Sequence, residues 1–165
     1  MSIQALIAFL AGIAGIIGGG IALINFLVER GYKARITKYY ELLGGSQSRL
    51  GIPISSIQKA YPSRFGTRGW LQRFYGNGDG VQVWDGEQQK HIIGVSIYSS
   101  NKGTFATWGS IGCWYEKHDG TGGRLGFPTS HEQQISDNPK TWAQQFEGGK
   151  ISCVADRDPT IEYTR

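Results

Sequence analysis

The residues with most chemical character in this 165-residue chain are few and widely spaced. Cys113, His118 and Asp119 are the types that a nucleophile, its base and an orienting carboxylate require. Five residues apart on one short helix, however, Cys113 and His118 do not share a face. Asn77, Asp79 and Asp85 sit in a Gly-rich stretch that resembles a calcium loop, but Tyr75 stands at the first ligand position and no closing Glu follows. A hairpin turn is the expected role of that stretch. Cys113 and Cys153 either form one disulfide or stay as two thiols. Two cysteines and three scattered histidines are too few for a metal site, and no Walker or dinucleotide fingerprint occurs. The expectation is a non-enzyme without metal or cofactor and without a nucleic-acid partner.

The remaining chemistry is recognition. Trp70, Trp114 and Trp142 recur at equivalent positions of an internal repeat and are expected to fill a core. Trp84 and Trp108 stand outside the repeated positions and are candidate faces for sugar C–H groups or partner side chains. Arg49 and Arg124 occupy matching places. They are candidates for binding a carboxylate or, as we expect, for pairing with Glu41 and Glu116.

The elements that position these residues come from the repeat. Residues 36–55 aligned with 111–130 give nine identities at an offset of 75: Ile36, Tyr40, Glu41, Gly45, Arg49, Leu50, Gly51, Pro53 and Ser55 with Ile111, Tyr115, Glu116, Gly120, Arg124, Leu125, Gly126, Pro128 and Ser130. Ile36, Tyr39, Tyr40 and Leu43 follow the spacing of one apolar helical face, and Gly44-Gly45 stops the helix. A Leu-Gly-x-Pro-x-Ser turn follows in both copies. Trp70-Leu71-Gln72-Arg73-Phe74 and Trp142-Ala143-Gln144-Gln145-Phe146 then alternate as strands do, with Val81–Trp84 and Lys150–Val154 expected as the return strands. His91–Tyr98 and Thr104–Trp108 read as an extra hairpin, and Thr160–Thr164 as a final strand.

The runs Gly44–Pro53, Arg124–Ser130 and Gln145–Ile151 resemble the LGFP repeat, as two copies at 36–75 and 111–155. That resemblance implies short helix-plus-hairpin modules, found in tandem in exported bacterial proteins and suggested to attach them to cell-wall polysaccharide.

Composition divides the chain. Ile3–Val28 is a run of 26 residues without a charge, and a helix of that length reaches ~39 Å against a ~30 Å hydrocarbon core. A transmembrane α-helix is expected there. Ala11, Gly15 and Gly19 form a small-residue stripe suited to another transmembrane helix, of a second copy or of a complex subunit. Arg30, Lys33, Arg35 and Lys38 follow the span and are expected at the lipid surface, which places the soluble domain on the cytoplasmic side by charge. The family analogy places it outside.

The fold expected from sequence is thus a transmembrane anchor at 1–30 and a small α+β, mainly β, domain at 31–165. That domain would hold two helix-turn-hairpin units, about 36–85 and 111–155, around an insertion at about 86–110. The expected function is that of a single-pass, membrane-anchored binding or scaffolding protein, an accessory subunit whose partners are the bilayer, another helix and a glycan. The alternative is an extracytoplasmic binder of cell-wall polysaccharide.

Overall fold

The computed structural model describes residues 23, 26–78, 81–84, 90–154 and 157–164, with the backbone alone for 81–84 and 90–93. The chain divides into two compact units, Met1–Tyr32 and Lys33–Arg165. Helix α1 covers residues 26–42. Its first residues belong to the first unit, where Phe26, Leu27 and Val28 are about half exposed.

The second unit is two versions of one plan. In copy 1 the helical residues from 33 are followed by the 3-10 turn Gly45–Gln47 and strands β1 (Gln58–Lys59), β2 (Gly69–Arg73), β3 (Val81–Trp84), β4 (Lys90–Ile93), β5 (Ser96–Ser100) and β6 (Gly103–Thr107). Copy 2 runs from helix α2 (Gly109–Lys117) and the 3-10 turn Gly120–Gly122 to β7 (Gln133–Asp137), β8 (Lys140–Phe146), β9 (Gly149–Val154) and β10 (Thr160–Tyr163). Each copy builds a four-stranded antiparallel sheet, in the orders β1-β2-β5-β6 and β7-β8-β9-β10. The registers agree: Gln58 faces Leu71 and Gln72 faces Ile97, as Gln133 faces Ala143 and Gln144 faces Ile151.

The duplication extends to single hydrogen bonds. Ser55 Oγ accepts from Arg73 N–H at 2.9 Å and Ser130 Oγ from Gln145 N–H at 3.0 Å. Gln72 Nε2 donates to the Ser55 carbonyl and Gln144 Nε2 to that of Ser130. Isolated bridges join Pro53 to Phe74 and Pro128 to Phe146. The Gly of each turn is left-handed, Gly51 at φ 70 and Gly126 at φ 67, a conformation that costs an L residue with a side chain ~1–2 kcal/mol.

The copies differ in two connections. Copy 2 joins β8 to β9 through Glu147-Gly148, whereas copy 1 inserts the β3–β4 hairpin between β2 and β5. Copy 2 joins β7 to β8 through Asn138-Pro139, whereas copy 1 sends residues 60–68 out as a tongue between β1 and β2. Buried Ser63 organises the tongue, its Oγ accepting from the N–H groups of Phe65 and Thr67. One hydrophobic core serves both copies: Leu71 and Tyr98 from copy 1 pack with Ile111, Tyr115, Leu125, Phe127, Phe146 and Ile151 from copy 2.

The expected fold class is corrected. The described chain is mostly β, with two four-stranded antiparallel sheets, one two-stranded sheet and two helices. Among the described residues no helix is long and apolar enough to cross a membrane, because α1 carries Glu29, Arg30, Lys33, Arg35, Lys38 and Glu41 in place of a continued apolar run. The span expected at 3–28 lies outside the described residues except for Leu23 and 26–28, and so does its stripe of Ala11, Gly15 and Gly19.

Each copy of the repeat also ends in a sheet rather than a hairpin. The strand that returns along β2 is Ser96–Ser100, while Val81–Trp84 pairs with Lys90–Ile93. A two-stranded hairpin has too little apolar face to be stable alone, and a third and fourth strand supply it. The single strand expected at His91–Tyr98 breaks at Gly94, whose φ is 93. Helix α2 lies so close there that a β-carbon on Gly94 would stand 2.5 Å from Cys113 Sγ.

Candidate ligand cleft

The tongue of copy 1 lies on the Leu-Gly-x-Pro turn of copy 2, and that contact shapes the candidate site. The Tyr61 carbonyl accepts from Thr121 Oγ1 at 2.7 Å. The Thr67 hydroxyl donates to Glu147 Oε1, and Glu147 Oε2 accepts from Phe127 N–H at 2.8 Å. The Glu147 side chain is only 4% exposed, and Lys102 Nζ stands 3.9 Å from Oε1. A buried carboxylate with two donors and a cation has its charge compensated. Phe65 covers Gly126 of that turn and Gly148 of the β8–β9 connection: a β-carbon on either would lie 2.9 Å from its ring.

Beside this seam opens a cleft of about 570 Å³, lined among others by Tyr61, Leu71, Arg73, Tyr98, Glu116 and Thr121. Strands β2 and β5 supply Arg73 and Tyr98, the last turn of α2 supplies Glu116, and the tongue supplies Tyr61. Glu116 Oε1 accepts from the Tyr98 hydroxyl and, at 3.1 Å, from Ser96 Oγ. Arg73 Nη2 stands 3.3 Å from Glu116 Oε2. Burial raises the Tyr98 hydroxyl well above the ordinary phenol range, and the neighbouring Glu116 charge adds to the shift. Tyr98 therefore stays a neutral donor to a carboxylate already held by a guanidinium. Tyr61 is 78% exposed and lines the cleft.

Few of the residues singled out from sequence meet here. Arg49 lies with its guanidinium 4.8 Å from the Trp108 ring centroid and 3.9 Å from Glu132. It borders a separate cavity of about 230 Å³ with Ser110, Ile111, Trp142 and Cys153. Arg124 stacks on Tyr163 at 3.8 Å. The expected pairings with Glu41 and Glu116 are thus replaced, because Glu116 points into the cleft toward β2 and β5. Trp108, expected as a surface ring, is half-buried as the residue preceding α2, with its Nε1 enclosed. Trp84 ends β3, and its side chain lies outside the described residues. Trp70 is buried, while Trp114 and Trp142 are half-buried against the core cluster.

Cys113 and Cys153 are buried and not joined in a disulfide in this structure. Cys113 packs on Gly94, whereas exposed His118 stacks on Trp114 with centroids 3.7 Å apart. The nucleophile constellation is therefore not assembled. Asn77, the calcium-loop candidate, donates Nδ2 to the carbonyls of Ser46 and Ser48 and braces the first turn. Arg30, Arg35 and Lys38 are exposed on α1, and Lys33 is half-buried.

Sequence reasoning missed Tyr61, Arg73, Tyr98 and Thr121. The one available signal was Glu116, an identity of the repeat on an otherwise apolar helix face. Its partners come from β2 and β5, and the corresponding Glu41 is exposed. No family model matches this chain, and no curated protein matches it either.

Proposed function

We propose that this chain is a non-catalytic binding module whose inter-copy cleft takes a short glycan. The observation that carries the reading is the pairing of an exposed ring with fixed planar polar groups. Tyr61 offers a flat face to sugar C–H bonds, while the locked Arg73–Glu116 pair offers in-plane donors and acceptors to hydroxyls. Glu116 accepts from Tyr98 and Ser96 and faces Arg73, which suits it to orientation rather than to proton transfer. The resemblance of both turns to the LGFP repeat supports the same reading, since that family is suggested to attach proteins to cell-wall polysaccharide.

The test is a glycan array probed with the full chain, followed by calorimetry on the strongest neutral binder. Tyr61→Ala should weaken that binder at least tenfold with an unchanged circular dichroism spectrum. Binding that survives both Tyr61→Ala and Arg73→Met would sink the proposal.

A scaffolding role is favoured by a second observation. Ile52 and Tyr75 are about half exposed on copy 1, where the corresponding copy 2 positions carry buried Phe127 and largely buried Glu147 beneath the tongue. A photo-crosslinker at Ile52 that captures no protein in its native cell would defeat that role.

A further inference from the structure

The tongue has a second side. Past Tyr61 and the cleft, its tip places Arg64 and Phe65 across a groove of about 350 Å³ from Arg124, Gly148 and Thr164. The two arginines come from different copies and meet only because the tongue covers the copy 2 turn. Each guanidinium is near an aromatic ring, Arg124 over Tyr163 at 3.8 Å and Arg64 near Phe65 at 5.8 Å. At 3.8 Å Arg124 is stacked, which uses the flat face of its guanidinium and leaves the N–H edge free for the fork that fits an oxyanion.

Among the described residues neither charge is neutralised nearby. Among the described residues no carboxylate pairs with Arg64 or Arg124, and neither guanidinium donates a hydrogen bond to the protein. Two described carboxylates of the same copy are engaged elsewhere: Glu147 holds Thr67 and the Phe127 amide beside Lys102, and Glu162 pairs with Lys150 at 2.9 Å. Two like charges fixed across one groove repel each other, and an anion between them removes the repulsion while gaining charge-assisted hydrogen bonds.

We infer that Arg64 and Arg124 form an oxyanion subsite for a carboxylate or phosphate carried by the ligand. The cleft and this groove flank the same seam, Tyr61 with Gly122 on one side and Arg64 with Arg124 on the other. A linear ligand crossing the seam would stack a sugar on Tyr61 and present its anionic substituent to the arginines. The ligand class is then an acidic glycan, an assignment that rests on the glycan reading above. The subsite itself rests on the arginines alone.

The experiment uses the full chain labelled with nitrogen-15 and titrated with inorganic phosphate at constant ionic strength. The Nε–H resonances of Arg64 and Arg124 should shift together and saturate in the millimolar range, while that of exposed Arg68 should not. Arg64→Gln and Arg124→Gln should each weaken the response at least fivefold, and the double variant should abolish it. Both side chains are exposed, so the variants keep the fold, as the unchanged amide spectrum would confirm. A uniform drift of all arginines, or saturation unchanged in the double variant, would overturn the subsite. On the glycan array, acidic oligosaccharides should outrank their neutral counterparts in the wild type and lose that advantage in the double variant. If phosphate shifts the arginines but no glycan binds, the glycan reading fails and the subsite stands. If neutral glycans bind and phosphate leaves the arginines unmoved, the subsite fails alone.

Discussion

Tyr115 donates its hydroxyl to the Gly126 carbonyl at 2.7 Å, tying the second helix to the Leu-Gly-x-Pro turn that follows it. Tyr40 makes the same bond to Gly51 at 2.9 Å in the first copy. Each phenol also packs on a Phe, Tyr115 on Phe146 at the end of β8 at 4.7 Å and Tyr40 on Phe74 just after β2 at 5.0 Å between ring centroids. One side chain thus joins helix, turn and sheet in each copy.

Removing that hydroxyl separates the copies energetically. Tyr115 is 1% exposed, so Tyr115→Phe leaves a buried carbonyl without its donor and should cost about 1–3 kcal/mol. Tyr40 is half-buried, water replaces its donor, and Tyr40→Phe should cost under about 1 kcal/mol. Urea unfolding curves compare the two, and equal costs would contradict the unequal burial.

Gly126→Ala tests how closely the tongue covers the turn. The substitution combines left-handed strain with clashes against Glu147 Oε2, which the tongue's Thr67 holds in place, and against Phe65, an expected loss of roughly 2–4 kcal/mol. Gly66→Ala is its control: Gly66 has φ 80 but nothing within 4 Å of the added carbon, so only the ~1–2 kcal/mol of strain applies. Thermal unfolding should place Gly126→Ala well below Gly66→Ala.

The Thr67–Glu147 bond couples the copies. Thr67→Val and Glu147→Gln should each destabilise by about 1–3 kcal/mol, and the double variant by less than their sum, since they act through one interaction. Additivity in a double-mutant cycle would show that the tongue is held by Phe65 and Tyr61 without this bond.

Alkaline pH should weaken the fold. Burial raises the hydroxyls of Tyr98 and Tyr115 well above the ordinary phenol value, and for each the Glu116 charge acts in the same direction. A raised folded pKa means that the native state keeps protons which the unfolded chain releases above pH ~10. Stability is therefore complete below pH ~10 and falls beyond it, by up to about 1.4 kcal/mol per pH unit for each tyrosine. Denaturant midpoints between pH 8 and 11 measure this, and Tyr98→Phe should make the decline shallower.

Periodicity and self-comparison reached the duplication because both are local. Gly44 and Asp119, at φ 99 and 65, end the two helices where the Gly44-Gly45 stop is expected. The tail strand is β10, and the β5–β6 hairpin turns within the segment read as a hairpin. The strand partners of β2 were not legible, since Val81–Trp84 and Ser96–Ser100 have similar patterns and only the packed sheet selects between them. Arg49 and Arg124 drew notice as repeat identities, yet their neighbours differ: Glu132 and Trp108 around one, Tyr163 and the tongue around the other.

By itself, the sequence determined the two-copy plan, because the left-handed glycines, fixed prolines and apolar spacings that write it act within a few residues of each other. It also determined an uncharged N-terminal run followed by Arg30, Lys33, Arg35 and Lys38. The tertiary structure decided where a ligand can bind. Tyr61, Arg73, Tyr98 and Glu116 are separated by up to 55 positions; β2, β5 and the end of α2 bring Arg73, Tyr98 and Glu116 together, and the tongue, present in only one copy, adds Tyr61. Two similar halves that share one core, with the tongue of one laid across the turn of the other, leave an opening on each side of the tongue, and no local pattern encodes a shape that arises between halves.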